Sequence, residues 1–188
     1  MQPNPIEIDA YLAAERAALE KSEYLDGEIF PLLPATDAHC LINTNVVTLL
    51  HRQVRSRDCR VLGSAMRLYA PAGPLFTYPD AALVCGKVQT RPDGHDDNLL
   101  NPTLLVKVLP HDVPAHFRQV FELYYSIPTV RHLLLVTQDA ARVSLSSRKA
   151  NGLLDVYGFT GLDAVITLPD LELELPLADI YHKVPLRG

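Results

Sequence analysis

Two apolar runs, Tyr78-Pro79-Asp80-Ala81-Ala82-Leu83-Val84-Cys85 and Pro102-Thr103-Leu104-Leu105-Val106-Lys107-Val108-Leu109, constrain this chain more than any other stretch. Both read as buried strands of a β-rich core, because short continuous apolar runs rich in branched residues suit a sheet covered on both faces. Each run carries one charge where the pattern calls for a hydrophobe: Asp80 at the start of the first and Lys107 near the end of the second. A buried charge is costly unless it is paired or binds a metal. The two charges therefore mark where a site is expected.

The rest of the chain reads as α+β around those strands. Residues 8–21 are alanine-rich, with Tyr11, Leu12 and Leu19 as an apolar stripe, and predict a helix. Asp26-Gly27 between Ser22-Glu23-Tyr24-Leu25 and Glu28-Ile29-Phe30 predicts a hairpin, since both central residues of a type I′ turn need positive φ. Pro34 ends its second strand. Asp37 is expected to cap a helix over residues 38–55 whose Ile42, Val46, Leu49 and Gln53 recur at helical spacing. A strand over 60–70 and the turn Pro71-Ala72-Gly73-Pro74 lead into the Asp80 run, and the polar residues 86–101 read as an exposed loop. After the Lys107 run, Asp112 is expected to cap a helix with Pro114 in its first turn and Phe117, Val120, Phe121 and Tyr124 on its buried face. Strands follow over 132–137, 142–148 and 153–159. The expectation is one domain, residues 1–188, built as one mixed sheet with a helix on each side.

Composition excludes several classes. A chain of 188 residues can bury a core without staples, and 48% hydrophobic with 21% charged residues is ordinary for a globular protein. A net charge of −5 gives no global attraction to nucleic acid or anionic membrane, so DNA binding would need a local basic face. Arg52, Arg55, Arg57 and Arg60 form the dense basic stretch, and the first three are the candidate phosphate contacts, weighed against a solvated helix end. Cys40, Cys59 and Cys85 form no CxxC pair and read as buried thiols in a reducing cytoplasm rather than as a disulfide or zinc site. The polar start Met1-Gln2-Pro3-Asn4-Pro5 lacks a signal-peptide pattern, and no apolar run reaches the ~18 residues of a membrane span. A cytoplasmic protein without a membrane partner is expected. Ser64 and Ser126 lack a His/Asp setting for a hydrolase triad, and there is no Gly-rich phosphate loop.

An ordered series of short motifs resembles the Uma-two family of the PD-(D/E)-x-K restriction-endonuclease superfamily. It runs Ser22-Glu23-Tyr24-Leu25-Asp26-Gly27-Glu28-Ile29, Pro34, His39, Tyr78-Pro79-Asp80, Asn101-Pro102-Thr103-Leu104-Leu105-Val106, Tyr124, Ile127-Pro128, Gly161-Leu162-Asp163-Ala164-Val165 and Leu175-Pro176-Leu177-Ala178-Asp179-Ile180-Tyr181. The resemblance implies a restriction-endonuclease-like core, a mixed sheet flanked by helices. It also implies a Mg²⁺ centre for DNA hydrolysis built on Glu23, Asp80, an acid on the next strand and a lysine on the following helix. Such an ion takes oxygen ligands, polarises the scissile phosphate and activates a water. His39 and His116 are expected as neighbours of the site.

The chain departs from that pattern at two places. Where the family has Glu-Val-Leu this chain has Lys107-Val108-Leu109, and the helix acid and lysine fall on His116 and Val120. Two unit charges ~4 Å apart interact by about 4 kcal/mol at an effective dielectric of 20, so an ammonium beside a divalent ion costs about twice that, whereas a millimolar metal site is worth only ~4 kcal/mol. Lys107 is therefore expected to exclude Mg²⁺ and to pair instead with Asp80 and with Glu23, standing in for the metal. Two readings follow. One is a non-catalytic DNA-binding or structural member, alone or as a homodimer, with Glu23, Asp80 and Lys107 as remnants of a catalytic centre and no cofactor. The other is an active Mg²⁺-dependent endonuclease in which Glu28 or Asp112 replaces the missing acid. A cluster of His111, Asp112 and His116 reads better as solvent-facing and capping than as a transition-metal site.

Overall fold

The structure is a computed structural model and describes residues 5–186; Met1 to Asn4, at the polar start, lie outside the described residues. Helix α1 (Ile8–Ala17) buries Tyr11 and Leu12, while Leu19, expected on the same stripe, lies past the helix end in solvent. Strands β1 (Ser22–Leu25) and β2 (Glu28–Pro31) form the expected hairpin, with Asp26 at φ 47° and Gly27 at φ 92°. A Cβ on Gly27 would lie 2.5 Å from Pro5 Cβ, so packing as well as φ holds that position to glycine. Helix α2 (Asp37–Val54) buries Ile42, Val46, Leu49, Leu50 and Val54. Its cap is Thr36 rather than Asp37: the Thr36 hydroxyl accepts the His39 N–H, and Asp37 sits one residue inside.

The strand expected over 60–70 is two strands, β3 (Cys59–Gly63) and β4 (Arg67–Ala70). The Met66 N–H donates to the Gly63 carbonyl and closes a turn between them, sending them into different sheets. Strands β5 (Leu75–Thr77) and β6 (Ala81–Cys85) are likewise separate, with Tyr78-Pro79-Asp80 as the crossing between sheets. Next come β7 (Asn98–Leu99), β8 (Leu104–Val108), α3 (Phe117–Tyr124), β9 (His132–Val136), β10 (Arg142–Arg148) and β11 (Leu154–Thr160). The chain closes with β12 (Val165–Leu168), β13 (Leu173–Pro176) and α4 (Leu177–Ile180). The stretch 86–101 is not wholly exposed, because Asn98 and Leu99 are buried where β7 pairs parallel to β4. Asp112 is exposed and caps nothing: α3 starts only at Phe117, whose N–H donates to the Pro114 carbonyl, with His116 at its N-cap.

The fold is a mixed α+β one, but with three sheets where one was expected. A five-stranded sheet runs β2-β1-β5-β4-β7, a six-stranded sheet runs β11-β10-β9-β8-β6-β3, and β12-β13 is a hairpin. Strands β6 and β8 are antiparallel neighbours, with Ala81 opposite Val106, so the two apolar runs do lie side by side. Their pleat sorts side chains by parity. Ala81, Leu83, Leu104, Val106 and Val108 pack on α2 and α4; Ala82, Val84 and Leu105 pack on Leu25, Leu75, Val120 and Tyr124. Each such leucine is worth about 1.5–3 kcal/mol of burial. Lys107 shares the parity of the second set, which aims it toward Glu23 of β1 and Phe117 of α3, while Asp80, in the crossing just before β6, meets His39 in the first turn of α2. That is where the site forms.

One expectation fails at the far end of β6. Cys59 and Cys85 are bonded as a disulfide, because they stand opposite each other in the β3–β6 register with Cα atoms 4.0 Å apart. They are not buried thiols, and the third cysteine, Cys40, is free and exposed. Among the described residues no helix is long and apolar enough to cross a membrane.

Candidate functional site

The charged cluster lies at the junction of the two large sheets. Glu23 comes from β1, Asp80 from the crossing before β6, Lys107 from β8, His39 from the first turn of α2 and His116 from the N-cap of α3. Glu23 is 1% exposed, Asp80 5% and Lys107 6%, so three formal charges share one desolvated space. Their pairing decides what that space can hold.

Lys107 Nζ donates to the Tyr78 carbonyl at 2.9 Å and sits 3.4 Å from Glu23 Oε1. The same Glu23 oxygen accepts the Thr77 hydroxyl at 2.6 Å, and Thr77 Oγ1 lies 3.4 Å from the Tyr124 hydroxyl. Burial, followed by the neighbouring Glu23 and Asp80 carboxylates, holds the Tyr124 phenol well above its ordinary range, so it stays neutral. The ammonium also lies 5.4 Å from the Phe117 ring centroid, within cation–π range.

Lys107 was expected to pair with Asp80 as well as Glu23, and here the structure differs. Asp80 Oδ2 accepts the Val108 N–H at 2.7 Å, while Oδ1 lies 2.6 Å from His39 Nε2. The Asp80 N–H in turn donates to the Val106 carbonyl, so the β8 backbone on either side of Lys107 fixes Asp80. Asp80 is thus held by backbone and imidazole, and the ammonium goes to Glu23.

The second Glu23 oxygen has a different setting. Glu23 Oε2 and His116 Nε2 are buried 3.8 Å apart, and neither has a hydrogen-bond partner among the described residues. The His116 ring is stacked on Phe30, centroids 4.1 Å apart, and meets Phe117 edge-on. It faces inward beside Glu23, as a neighbour of the charged residues and not in the solvent-facing setting read for the His111, Asp112 and His116 cluster.

Lys21, which the motifs do not single out, lies beside Tyr78. Its Nζ lies 4.8 Å from the Tyr78 ring centroid and donates to the Ser64 carbonyl at 2.7 Å. Desolvation, partly offset by the Glu15 and Asp80 carboxylates, lowers its pKa from the ordinary lysine range. Burial and then Glu15, whose carboxylate accepts the Tyr78 hydroxyl, outweigh nearby Arg67 and push the Tyr78 phenol up to about 12. The usable signal for Lys21 was its place two residues before Glu23, which puts both on one face of an extended segment.

The other candidates stay apart from this cluster. Glu28 and Asp112 are exposed, and neither has an ion pair to it among the described residues. His111 lies 3.8 Å from Asp139 in solvent, so His111, Asp112 and His116 are no cluster. Arg52 and Arg55 are exposed at the C-terminal end of α2, about 20 Å along the helix from His39. Arg52 shares a shallow depression with Glu174 and Asp179, and the Arg57 guanidinium donates to the Leu171 carbonyl.

The Lys107 ammonium stands against a hard divalent ion at these residues. Mg²⁺ is held through one or two carboxylates and keeps several waters in octahedral array. The two candidate carboxylates, Glu23 and Asp80, already face a buried ammonium and an imidazole, and Glu23 Oε2 is the oxygen of the pair without a hydrogen-bond partner among the described residues. Among the described residues no three His, Cys, Asp or Glu side chains are grouped to hold a metal.

This fold, with carboxylates converging between two sheets, is of the restriction-endonuclease-like class. The chain belongs to the Uma2 family, described as "Putative restriction endonuclease", whose model matches residues 8–178. It is 31% identical over 134 residues to the uncharacterized protein sll1609 of Synechocystis sp., covering 71% of this chain and 75% of that one. It is 26% identical over 175 residues to the uncharacterized protein slr1290 of the same organism, covering 93% and 90%. The crystal structure of a "putative nuclease belonging to DUF820" from Anabaena variabilis superposes with a TM-score of 0.75 at 19% identity, covering 94% of this chain and 98% of that one. At that identity the likeness is one of fold.

Proposed function

We propose that the chain is a single restriction-endonuclease-like domain whose metal centre is closed by Lys107, serving as a non-catalytic DNA-binding or structural member of its family. The observation that carries this reading is the buried Lys107 ammonium 3.4 Å from Glu23 Oε1, where a cation is already supplied by the protein. Asp80, tied to His39 and to the Val108 N–H, is held in place without an ion. DNA contact, on this reading, is nonspecific and electrostatic, and runs through Arg52, Arg55 and Arg57.

The family's description favours the competing reading, a Mg²⁺-dependent DNA endonuclease. A plasmid-nicking assay with Mg²⁺ and with Mn²⁺, beside an Asp80→Ala control, separates the two. The proposal expects no metal-dependent nicking above the control. Nicking by the wild type that vanishes in Asp80→Ala would overturn it. A salt-dependent gel shift weakened in the Arg52/Arg55/Arg57→Ala triple variant is the expected sign of DNA binding.

A further inference from the structure

Strand β11 ends the six-stranded sheet, and its outer edge is unpaired among the described residues. Of the eleven exposed large hydrophobics among the described residues, six fall in or beside it: Leu153, Leu154, Val156, Tyr157, Leu162 and Val165. An open, apolar edge is an aggregation hazard that proteins normally blunt with lysine, proline or a bulge. None of these is present in Leu154–Thr160, where seven consecutive residues pair with β10 without a break.

The register shows which backbone groups are free. The Lys149 N–H donates to the Leu153 carbonyl and the Gly161 N–H to the Ala141 carbonyl. Odd-numbered residues of β11 therefore bond to β10, and Leu154, Val156, Gly158 and Thr160 turn their N–H and C=O outward. That set is symmetric about Tyr157.

The geometry points to a second copy of this chain as the occupant of that edge, joined β11 to β11 in antiparallel register about a two-fold axis at Tyr157. Leu154 then faces Thr160 of the second copy and Val156 faces Gly158, each a pair that can exchange N–H···O bonds. The charge pattern suits self-pairing. Asp155 is the only charged side chain of the strand, and Lys149 Nζ neutralises it at 2.7 Å. In this register the two Asp155 residues stand four positions apart, about 13 Å along the strand, where salt screens them. A two-fold pairing closes the β11 edge of both copies at once, so this edge cannot recruit a third chain. The pairing does not depend on whether the chain binds DNA.

The test combines sedimentation equilibrium with amide exchange on the wild type and on Val156→Lys. The wild type should be a concentration-dependent dimer, and Val156→Lys should raise its dissociation constant at least tenfold. Amides of Leu154, Val156, Gly158 and Thr160 should exchange slowly in the dimer and at least tenfold faster in the variant. Amides of Asp155, Tyr157 and Phe159, bonded to β10, should stay slow in both and so report that the variant is folded. A wild type that stays monomeric, or outward amides that exchange fast at dimer-forming concentration, would overturn the inference. So would a dimer that Val156→Lys leaves unchanged.

Discussion

Removing the Lys107 charge should destabilise the fold, and removing its partner at the same time should restore most of the loss. At 3.4 Å and an effective dielectric of 20 the Lys107–Glu23 attraction is about 5 kcal/mol. Desolvating both groups offsets most of that, so the pair's net worth is small. Breaking it is another matter, because a group 1% exposed is left charged and unpaired. Lys107→Met and Glu23→Gln should each cost about 3–5 kcal/mol, or on the order of 10 °C in Tm for a chain of this length. The double variant should lose ~1–2 kcal/mol, giving a coupling of at least ~3 kcal/mol. Urea unfolding followed by far-UV circular dichroism measures all three, and is the suitable probe because the chain has no tryptophan. Single costs below ~1 kcal/mol, or costs that simply add, would refute the claim that Lys107 and Glu23 neutralise each other.

Two further outcomes follow from the structure. The Cys59–Cys85 bond closes a loop of sequence separation 26, so Cys59→Ser/Cys85→Ser should cost about 3.5 kcal/mol on the chain-entropy estimate; thiol titration of the unreduced, unfolded wild type should find the Cys40 thiol alone. Hydrogen bonding from Arg16 chiefly, against some desolvation, lowers the Asp97 pKa from the ordinary carboxylate value. A depressed folded pKa means the unfolded chain binds more protons, so this stability is full above the unfolded value of ~3.9 and is lost as pH falls through the folded one. Tm scans from pH 6 to 2 should therefore show a steeper acid limb in the wild type than in Arg16→Met.

What was legible in the sequence was what repeats locally. The helical spacing of Ile42, Val46 and Leu49 and the Asp26-Gly27 turn each specify an element through neighbours a few residues away. The adjacency of the Asp80 and Lys107 runs was also legible, since two such apolar strands belong in one core. The partners of the charges were not. Asp80 goes to His39 because the β8 backbone holds one carboxylate oxygen while α2 brings its first turn over the other. The same blindness hid the Cys59–Cys85 bond, which depends on β3 registering against β6 across 26 residues. Thr77 gave no signal of its own. Its hydroxyl matters because β5 pairs with β1 and carries it to Glu23. The parting of the two large sheets is made at the tight turn Gly63–Met66 and again at the crossing Tyr78-Pro79-Asp80, neither of which alternation alone reveals.

The central claim is that Lys107 stands where the family's ion would bind, and calorimetric titration with Mn²⁺ tests it most directly. The wild type should show no saturable binding up to several millimolar, since about 8 kcal/mol of repulsion outweighs the ~4 kcal/mol of a millimolar site. Lys107→Glu, shown folded by circular dichroism, should gain binding at millimolar or lower concentration that Asp80→Ala abolishes. Saturable millimolar binding by the wild type, or no gain in Lys107→Glu, would contradict the account.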